Sequence, residues 1–245
     1  LRDAWLPGLL DGSRRIALAH HEQGARGGSA WVECTARPDG SRILLNGTKT
    51  CVPAGAGVDA YIVSASTASE PDDRDAIGLY LVPADSSGLS CQHWRMTDGS
   101  VAVSLAFDNV VVENDNVLRG GIQAIEAGEV LASLARSAEM LGIMERMLAE
   151  TQEYLRTRNQ FGTSLGKFQA IQHRMVTQYT VIEQGRALLN LAQVSWGKPE
   201  FARAVAGVRA YLALNAIELG HEMIQFHGGM GVTDELSVGG AHKRL

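Results

Sequence analysis

The sequence predicts an α+β protein, with an antiparallel β-barrel or sandwich in residues 1–118 followed by an antiparallel helix bundle in residues 119–245. Three observations carry that reading. Short apolar runs separated by turn residues fill the first half, the apolar period changes from two to between three and four near Gly121, and glycine-containing breaks divide the second half into three long segments.

In the first half the runs are Arg42–Leu45, Ala60–Ser64, Ile77–Val82, Val101–Phe107 and Val110–Val112. Asp39-Gly40, Asn46-Gly47 and Asp98-Gly99 punctuate them, and such pairs suit the positive φ values of tight hairpins. No helical pattern intervenes, so the strands are expected to pair antiparallel with one another. The polar stretch Ser69–Asp75 reads as a solvated loop.

From Gly121 the spacing is helical. Ile122, Val130, Leu134, Ala138, Leu141, Met144 and Leu148 predict one long helix to about Thr157, with a break expected near Gly142. Ile171, Met175, Ile182 and Leu189 mark a second helix from about Phe168 to Val194. Val205, Val208, Leu212, Ala216, Leu219 and Met223 mark a third from about Glu200 to Phe226. Short loops between long helices are the connectivity of a bundle.

Composition narrows the function classes. The chain has 245 residues, 45% of them hydrophobic, and a net charge of −5, which argues against nucleic acid as the main partner. Its three cysteines, Cys34, Cys51 and Cys91, form no CxxC pair and support neither a disulfide framework nor a zinc ribbon. No apolar run spans a bilayer and no signal peptide is visible, so a cytoplasmic location is expected. Adjacent histidines in His20-His21-Glu22 point to opposite sides of an extended segment, and no metal site is expected there.

Two segments carry candidate chemistry. Arg158-Asn159-Gln160-Phe161-Gly162 closes the first long helix, and Phe168-Gln169 opens the second. A guanidinium pairs bidentately with phosphate, and a phenyl ring offers a flat face to a planar ligand; the same arginine also suits a helix C-terminus by charge alone. Gln225-Phe226-His227-Gly228-Gly229-Met230-Gly231 ends the third helix. Adjacent glycines admit a ligand close to the backbone, and they also suit a helix C-cap. His173 and His227 are expected on the helix surface or at a cofactor's edge.

The order of these motifs resembles the acyl-CoA dehydrogenase family. Arg158–Gly162, Phe168-Gln-Ala-Ile-Gln-His173 and Ile224-Gln-Phe-His-Gly-Gly-Met-Gly-Val-Thr-Asp-Glu235 match its C-terminal helical domain, Leu45–Lys49 its NGxK hairpin, and Leu105–Val110 the strand leaving its β domain. The resemblance covers essentially the whole chain and begins after the helical N-terminal domain that members carry. Thr233–Gly239 and Gly166–Met175 look most like small subunits of heteromeric, pimeloyl-CoA dehydrogenase-like enzymes.

The resemblance implies an FAD-dependent oxidoreductase that desaturates an acyl-CoA at its α and β carbons in fatty acid β-oxidation or related lipid metabolism. Electrons would pass to an electron-transferring flavoprotein. It implies a homo- or hetero-oligomer, a dimer or tetramer with a shared FAD site. Arg158, Gln160, Phe161, Phe168 and Gln169 would meet the adenosine and pyrophosphate end of FAD, and Gln225, Gly228 and Gly229 its phosphates.

The chain also departs from the family pattern. At the TEPxxGSD loop it keeps Glu22 but carries His21 at the threonine and Gln23 at the proline, and the flavin-flanking KxWIT segment reads Lys49-Thr-Cys-Val-Pro53. The base position that some members use aligns with Ala132, followed by Ser133; the other lies past the arginine matched by Arg244, beyond Leu245. Glu129 sits one turn before Ala132 and is a poor substitute. No catalytic residue is therefore assigned, and a non-catalytic subunit that completes a partner's FAD site is the alternative.

Overall fold

The computed structural model describes residues 2–245, with Arg2 described by its backbone alone. Two compact units meet in sequence between Ala127 and Gly128.

The first unit opens with helix α1 (Arg2–Asp11); the guanidinium of Arg14, just past its end, lies 4.6 Å from the centre of the Trp5 ring on the helix. Strands β1 (Ile16–Ala19), β2 (Thr35–Asp39), β3 (Arg42–Pro53), β4 (Ala60–Ser66), β5 (Ile77–Pro83), β6 (Leu89–Arg95), β7 (Val101–Glu113) and β8 (Val117–Leu118) come next. They form one sheet in the order β6-β7-β3-β2-β4-β5-β8. The sheet is mixed, which corrects the purely antiparallel expectation. β1 runs parallel to β4 with Ile16 opposite Ala60, and β2 meets the far end of the same edge, parallel, at Thr35–Ser66. Two strands thus share one edge of β4. β4, buried at all but one position, and its neighbour β5, buried at all but two, supply much of the core, with Val63, Ala65, Leu79, Tyr80 and Val82.

The Asn46-Gly47 pair is not a hairpin turn. It lies inside β3, where the register against β7 slips between Leu45 and Gly47. The Asn46 side chain accepts from the Asn109 amide at 2.9 Å and donates to the Asn109 side chain at 3.2 Å. Gly47 has φ of +137°, and a Cβ there would stand 2.8 Å from Cys34 Cα. A second slip falls between Lys49 and Val52, with Cys51 held at φ of +48°. Such bulges bend a strand and re-aim its side chains. Asp39-Gly40 and Asp98-Gly99 do turn the chain, between β2 and β3 and between β6 and β7.

Helix α2 (Gly121–Thr157) is continuous through Gly142, contrary to the expected break. Its first turns carry Ile122 and Ile125 into the core of the sheet unit. From Gly128 it belongs to the second unit, with the hairpin of β9 (Asn159–Gln160) and β10 (Thr163–Ser164), then α3 (Gln169–Val194), α4 (Phe201–His227) and α5 (Ser237–Arg244). The buried α3 residues Met175, Gln178, Ile182, Gly185, Leu189 and Ala192 alternate steps of three and four, the spacing of one helix face. They meet the α4 face of Val205, Val208, Leu212, Ala216, Leu219 and Met223. On α2 the inward residues are Met140, Leu141, Met144, Met147 and Leu148, whereas Ala138 is exposed. Val238 anchors α5 in the same core, and Ser237 donates to Glu150 at 2.5 Å. No helix among the described residues is long and apolar enough to cross a membrane.

Candidate functional site

The helical unit gathers most of its sequence-predicted site residues on the connection between α2 and α3. Arg158 follows the last residue of α2, and its amide still donates to the Tyr154 carbonyl at 2.8 Å. The chain then turns through β9 and β10, with Gln160 opposite Thr163. Phe161 and Gly162 make the turn at φ of +55° and +81°. A non-glycine residue at positive φ costs energy, and such strain collects at functional sites. The turn leaves the Phe161 ring 91% exposed, its edge toward Phe168 with centroids 6.2 Å apart. Gln169 opens α3 and is exposed.

The Arg158 side chain is exposed and, among the described residues, has no carboxylate or carbonyl partner. Some arginines of this unit are paired, Arg174 gripping Glu222 through two bonds of 2.8 and 2.7 Å and Arg186 reaching Glu145 at 3.0 Å, whereas Arg156 and Arg203 are exposed like Arg158 but have no exposed aromatic ring of their own turn beside them. Such a free guanidinium beside an exposed aromatic ring fits the phosphate and planar-ring chemistry of a dinucleotide cofactor.

The second cluster ends α4. Gln225 is exposed, and Gly228 turns the chain at φ +59° and ψ −139°, a region essentially closed to other residues. A Cβ on Gly229 would meet nothing within 4 Å, whereas one on Gly231 would stand 2.3 Å from the Ile224 carbonyl. Gly231 is thus required by internal packing and Gly229 is not, which leaves its backbone open to an outside ligand. His227 is buried, contrary to the surface placement expected of it; its Nδ1 faces the Met223 carbonyl at 2.8 Å. Its ring also lies 4.4 Å from that of Tyr154. Tyr154 stands one turn before Arg158, and His227 immediately precedes Gly228, so the two clusters share one end of the helical unit. His173 is exposed, as expected.

The sheet unit holds a polar constellation that the sequence reading missed. Lys49, fully buried, donates to Glu22 Oε1 at 2.5 Å, Ser64 Oγ at 2.8 Å and the His20 carbonyl at 3.2 Å. Glu22 also accepts from the backbone amides of Glu33 at 2.5 Å and Cys34 at 3.0 Å. Burial pushes the Lys49 ammonium below its usual range, opposed by Glu22, and raises the Cys34 thiol to about 11. The sequence did hold a signal, since a lysine within an apolar strand on the face of Leu45 calls for a buried partner. Nearby, a cavity of about 350 Å³ is lined by Gln23, Thr48, Thr50, Ser90 and Gln92 among others. Cys51 is exposed on its bulge, and Pro53 is likewise exposed. Among the described residues no cluster of three metal-ligating side chains occurs.

Comparison with known proteins identifies relatives for both units. Residues 120–245 match the family described as "Acyl-CoA dehydrogenase, C-terminal domain". Isovaleryl-CoA dehydrogenase of Pongo abelii is 29% identical over 97% of this chain and 58% of its own length. The caffeyl-CoA reductase-Etf complex subunit CarC of Acetobacterium woodii is 25% identical over 96% of this chain and 64% of its own length. The solved structure of a Tcur3481-Tcur3483 steroid ACAD G363A variant superposes with a TM-score of 0.85 at 33% identity, covering 99% of this chain and 64% of that one. The chain spans between 58% and 64% of the length of the curated relatives that it matches.

Proposed function

The chain belongs to the acyl-CoA dehydrogenase family, and on that premise we propose that it forms part of an FAD-dependent enzyme that desaturates an acyl-CoA thioester, working as one subunit of an oligomer. The observation that carries this reading is the shared end of the helical unit, where a free Arg158, an exposed Phe161 and an unobstructed Gly229 stand without an internal role. When bound, FAD supplies the hydride acceptor. Arg158 would neutralise and hold its pyrophosphate, and Phe161 would offer its exposed ring to the adenosine end. Gln160, Gln169 and Gln225 offer amide groups to its polar edges. Gly228 and Gly229 let backbone N–H groups approach a phosphate. Phe168 supports the Phe161 ring rather than standing free.

The acyl-CoA must also lose an α proton, which requires a positioned base. Position 132 carries a methyl group and Ser133 a hydroxyl of high pKa. This observation favours a second reading, in which the chain lends Arg158 and the Gly228-Gly229 loop to the flavin of a catalytically complete homologous subunit. The exposed Cys51 and Pro53, where the family carries a tryptophan and a threonine beside the flavin, point the same way. An electron-transferring flavoprotein is the proposed electron acceptor, consistent with the relative named as a subunit of an Etf complex.

The test is to purify the full-length polypeptide, measure bound FAD, and add acyl-CoA with an artificial electron acceptor. FAD bound by the polypeptide alone or with its homologous subunit is the expected result. A colourless protein in every assembly would overturn the reading. Turnover without a second subunit would select the first form of the proposal, and turnover only with one the second.

A further inference from the structure

The loop from His20 to Ser29 is pinned at both ends by a hydrogen-bond chain whose every proton can be assigned. Lys49 is a donor only, and its three N–H groups go to the His20 carbonyl, Glu22 Oε1 and Ser64 Oγ. Ser64 Oγ therefore accepts from Lys49, and its one proton is left for its other neighbour, His20 Nδ1, at 2.8 Å. Nδ1 must then carry the lone pair. His20 Nε2 lies 2.8 Å from the Ser29 carbonyl, which only accepts, so Nε2 carries the proton. The chain Lys49 → Ser64 → His20 → Ser29 runs one way and is complete only with a neutral imidazole. It ties the beginning and the end of the loop to β3 and β4.

We propose that His20 is a positioning residue, whose neutral, Nε2-protonated ring locks the 20–29 loop onto the sheet and whose protonation releases that loop and weakens flavin retention. The flavin clause rests on the function proposed for the chain as part of an FAD-dependent enzyme. The loop matters to a ligand because Gln23, inside it, lines the 350 Å³ cavity together with Thr48 and Thr50. The amide of Thr50, the residue before the Cys51 bulge, donates to the His21 carbonyl at 2.8 Å. Loop, cavity wall and bulge are thus one hydrogen-bonded piece.

Protonation breaks the chain for three reasons. A second N–H on the ring would occupy the Nδ1 lone pair, so Ser64 could only accept from the ring and its own proton would be left without its acceptor. The new charge would be buried, since His20 is 4% exposed. Its charged surroundings are unfavourable on balance: Lys49 on β3 and His21 beside it oppose a second positive charge, and Glu22 and the Ser29 carbonyl favour it. The Cys34 thiol, raised to about 11 by burial, stays neutral. Burial first, then Lys49, therefore holds the His20 pKa below its ordinary 6.5. Above 6.5 the ring is neutral whether the loop is closed or released. As pH falls below 6.5 the released loop binds the proton first, and the closed form loses ground until the pH reaches the lowered pKa.

The test uses the full-length protein with its FAD. Nitrogen-15 NMR of the wild-type histidines reads the tautomer and needs no variant. The expected result is an Nε2–H ring at His20 that is still neutral at pH 6.5. FAD dissociation is then followed from about pH 7.5 to about pH 5.5, the range in which histidine changes charge. The dissociation constant should rise roughly two- to tenfold, the scale of one lost neutral hydrogen bond. In His20→Gln, whose amide reaches toward Ser29 and does not titrate, that step should vanish. An Nδ1–H tautomer, a His20 pKa at or above its ordinary 6.5, a flat wild-type profile, or the same step in His20→Gln would each overturn the positioning role. Absence of FAD at every pH would overturn the flavin reading and the positioning role together, with the NMR tautomer still deciding whether the hydrogen-bond chain exists.

Discussion

Replacing Lys49 with methionine should destabilise the sheet unit by about 3–5 kcal/mol, the cost of leaving one charge of a buried pair uncompensated. The side chains of Lys49 and Glu22 are 0% and 2% exposed, with 2.5 Å between Nζ and Oε1. At that separation, with an effective dielectric constant of about 20, the gross attraction is about 7 kcal/mol. Desolvation of both groups cancels much of it, and only the difference appears in stability. Methionine keeps the length and apolar stem of lysine, so little cavity is created and the loss reports the charge. The Glu33 and Cys34 amides still donate to the stranded carboxylate, which favours the lower part of the range, about 3 kcal/mol. Ser64 Oγ and the His20 carbonyl also lose a donor. The assay is urea unfolding followed by fluorescence of Trp31, whose indole donates to Glu33 at 2.9 Å beside the Glu22 bond. Arg42→Met is the control, because the Arg42–Glu113 pair is 56% exposed on both sides and its removal should cost about 0–1 kcal/mol. A loss below about 1 kcal/mol for Lys49→Met, no larger than a surface pair gives, would refute the reasoning.

Three further predictions concern the helical unit. Arg158→Ala should leave the unfolding curve unchanged, since the side chain has no internal partner among the described residues. It should weaken FAD binding by about 1.5–3 kcal/mol, the scale of a hydrogen bond to a charged group; equal FAD affinity in wild type and variant would remove Arg158 from the site. Gly228→Ala forces an unsuitable backbone conformation and should cost about 1–3 kcal/mol of stability. Gly229→Ala meets open space, so thermal unfolding should be unaffected while FAD affinity falls. Both properties unchanged in Gly229→Ala would count against the loop as a phosphate contact.

The parts of the fold that were legible in the sequence are those set by local periodicity. The α3 and α4 faces repeat every three or four residues over many turns, and they bury the residues that the spacing marks, except Ile171, which is only partly buried. Methionines 140 and 147 escaped because their turns carry apolar residues on more than one side. Strand β1 has four residues and pairs with a strand more than forty positions away, so nothing local announces it. β6 is exposed almost throughout and lacks an apolar face. Asn46-Gly47 has the composition of a hairpin turn, yet its conformation is decided by Asn109 and Cys34.

The candidate site divides in the same way. Arg158, Phe161 and the Gly228-Gly229 loop stand in short contiguous motifs, and those motifs were readable. That they lie at one end of the helical unit depends on Tyr154 meeting His227 across 73 positions, which no local pattern reveals. The His20–Glu22–Lys49–Ser64 network closes over separations of up to 44 residues. Each member is ordinary in its own segment, and only burial turns the four into one charged, fully bonded unit.

The most direct test of the central claim is the visible spectrum of the full-length polypeptide during anaerobic addition of acyl-CoA, alone and with any homologous subunit that co-purifies with it. The expected result is bound FAD that acyl-CoA bleaches in at least one of the two states; where only the added subunit brings a base, its addition should speed bleaching roughly a hundred- to ten-thousand-fold. A protein that takes up no FAD in either state, or whose bound FAD acyl-CoA bleaches in neither, would contradict it.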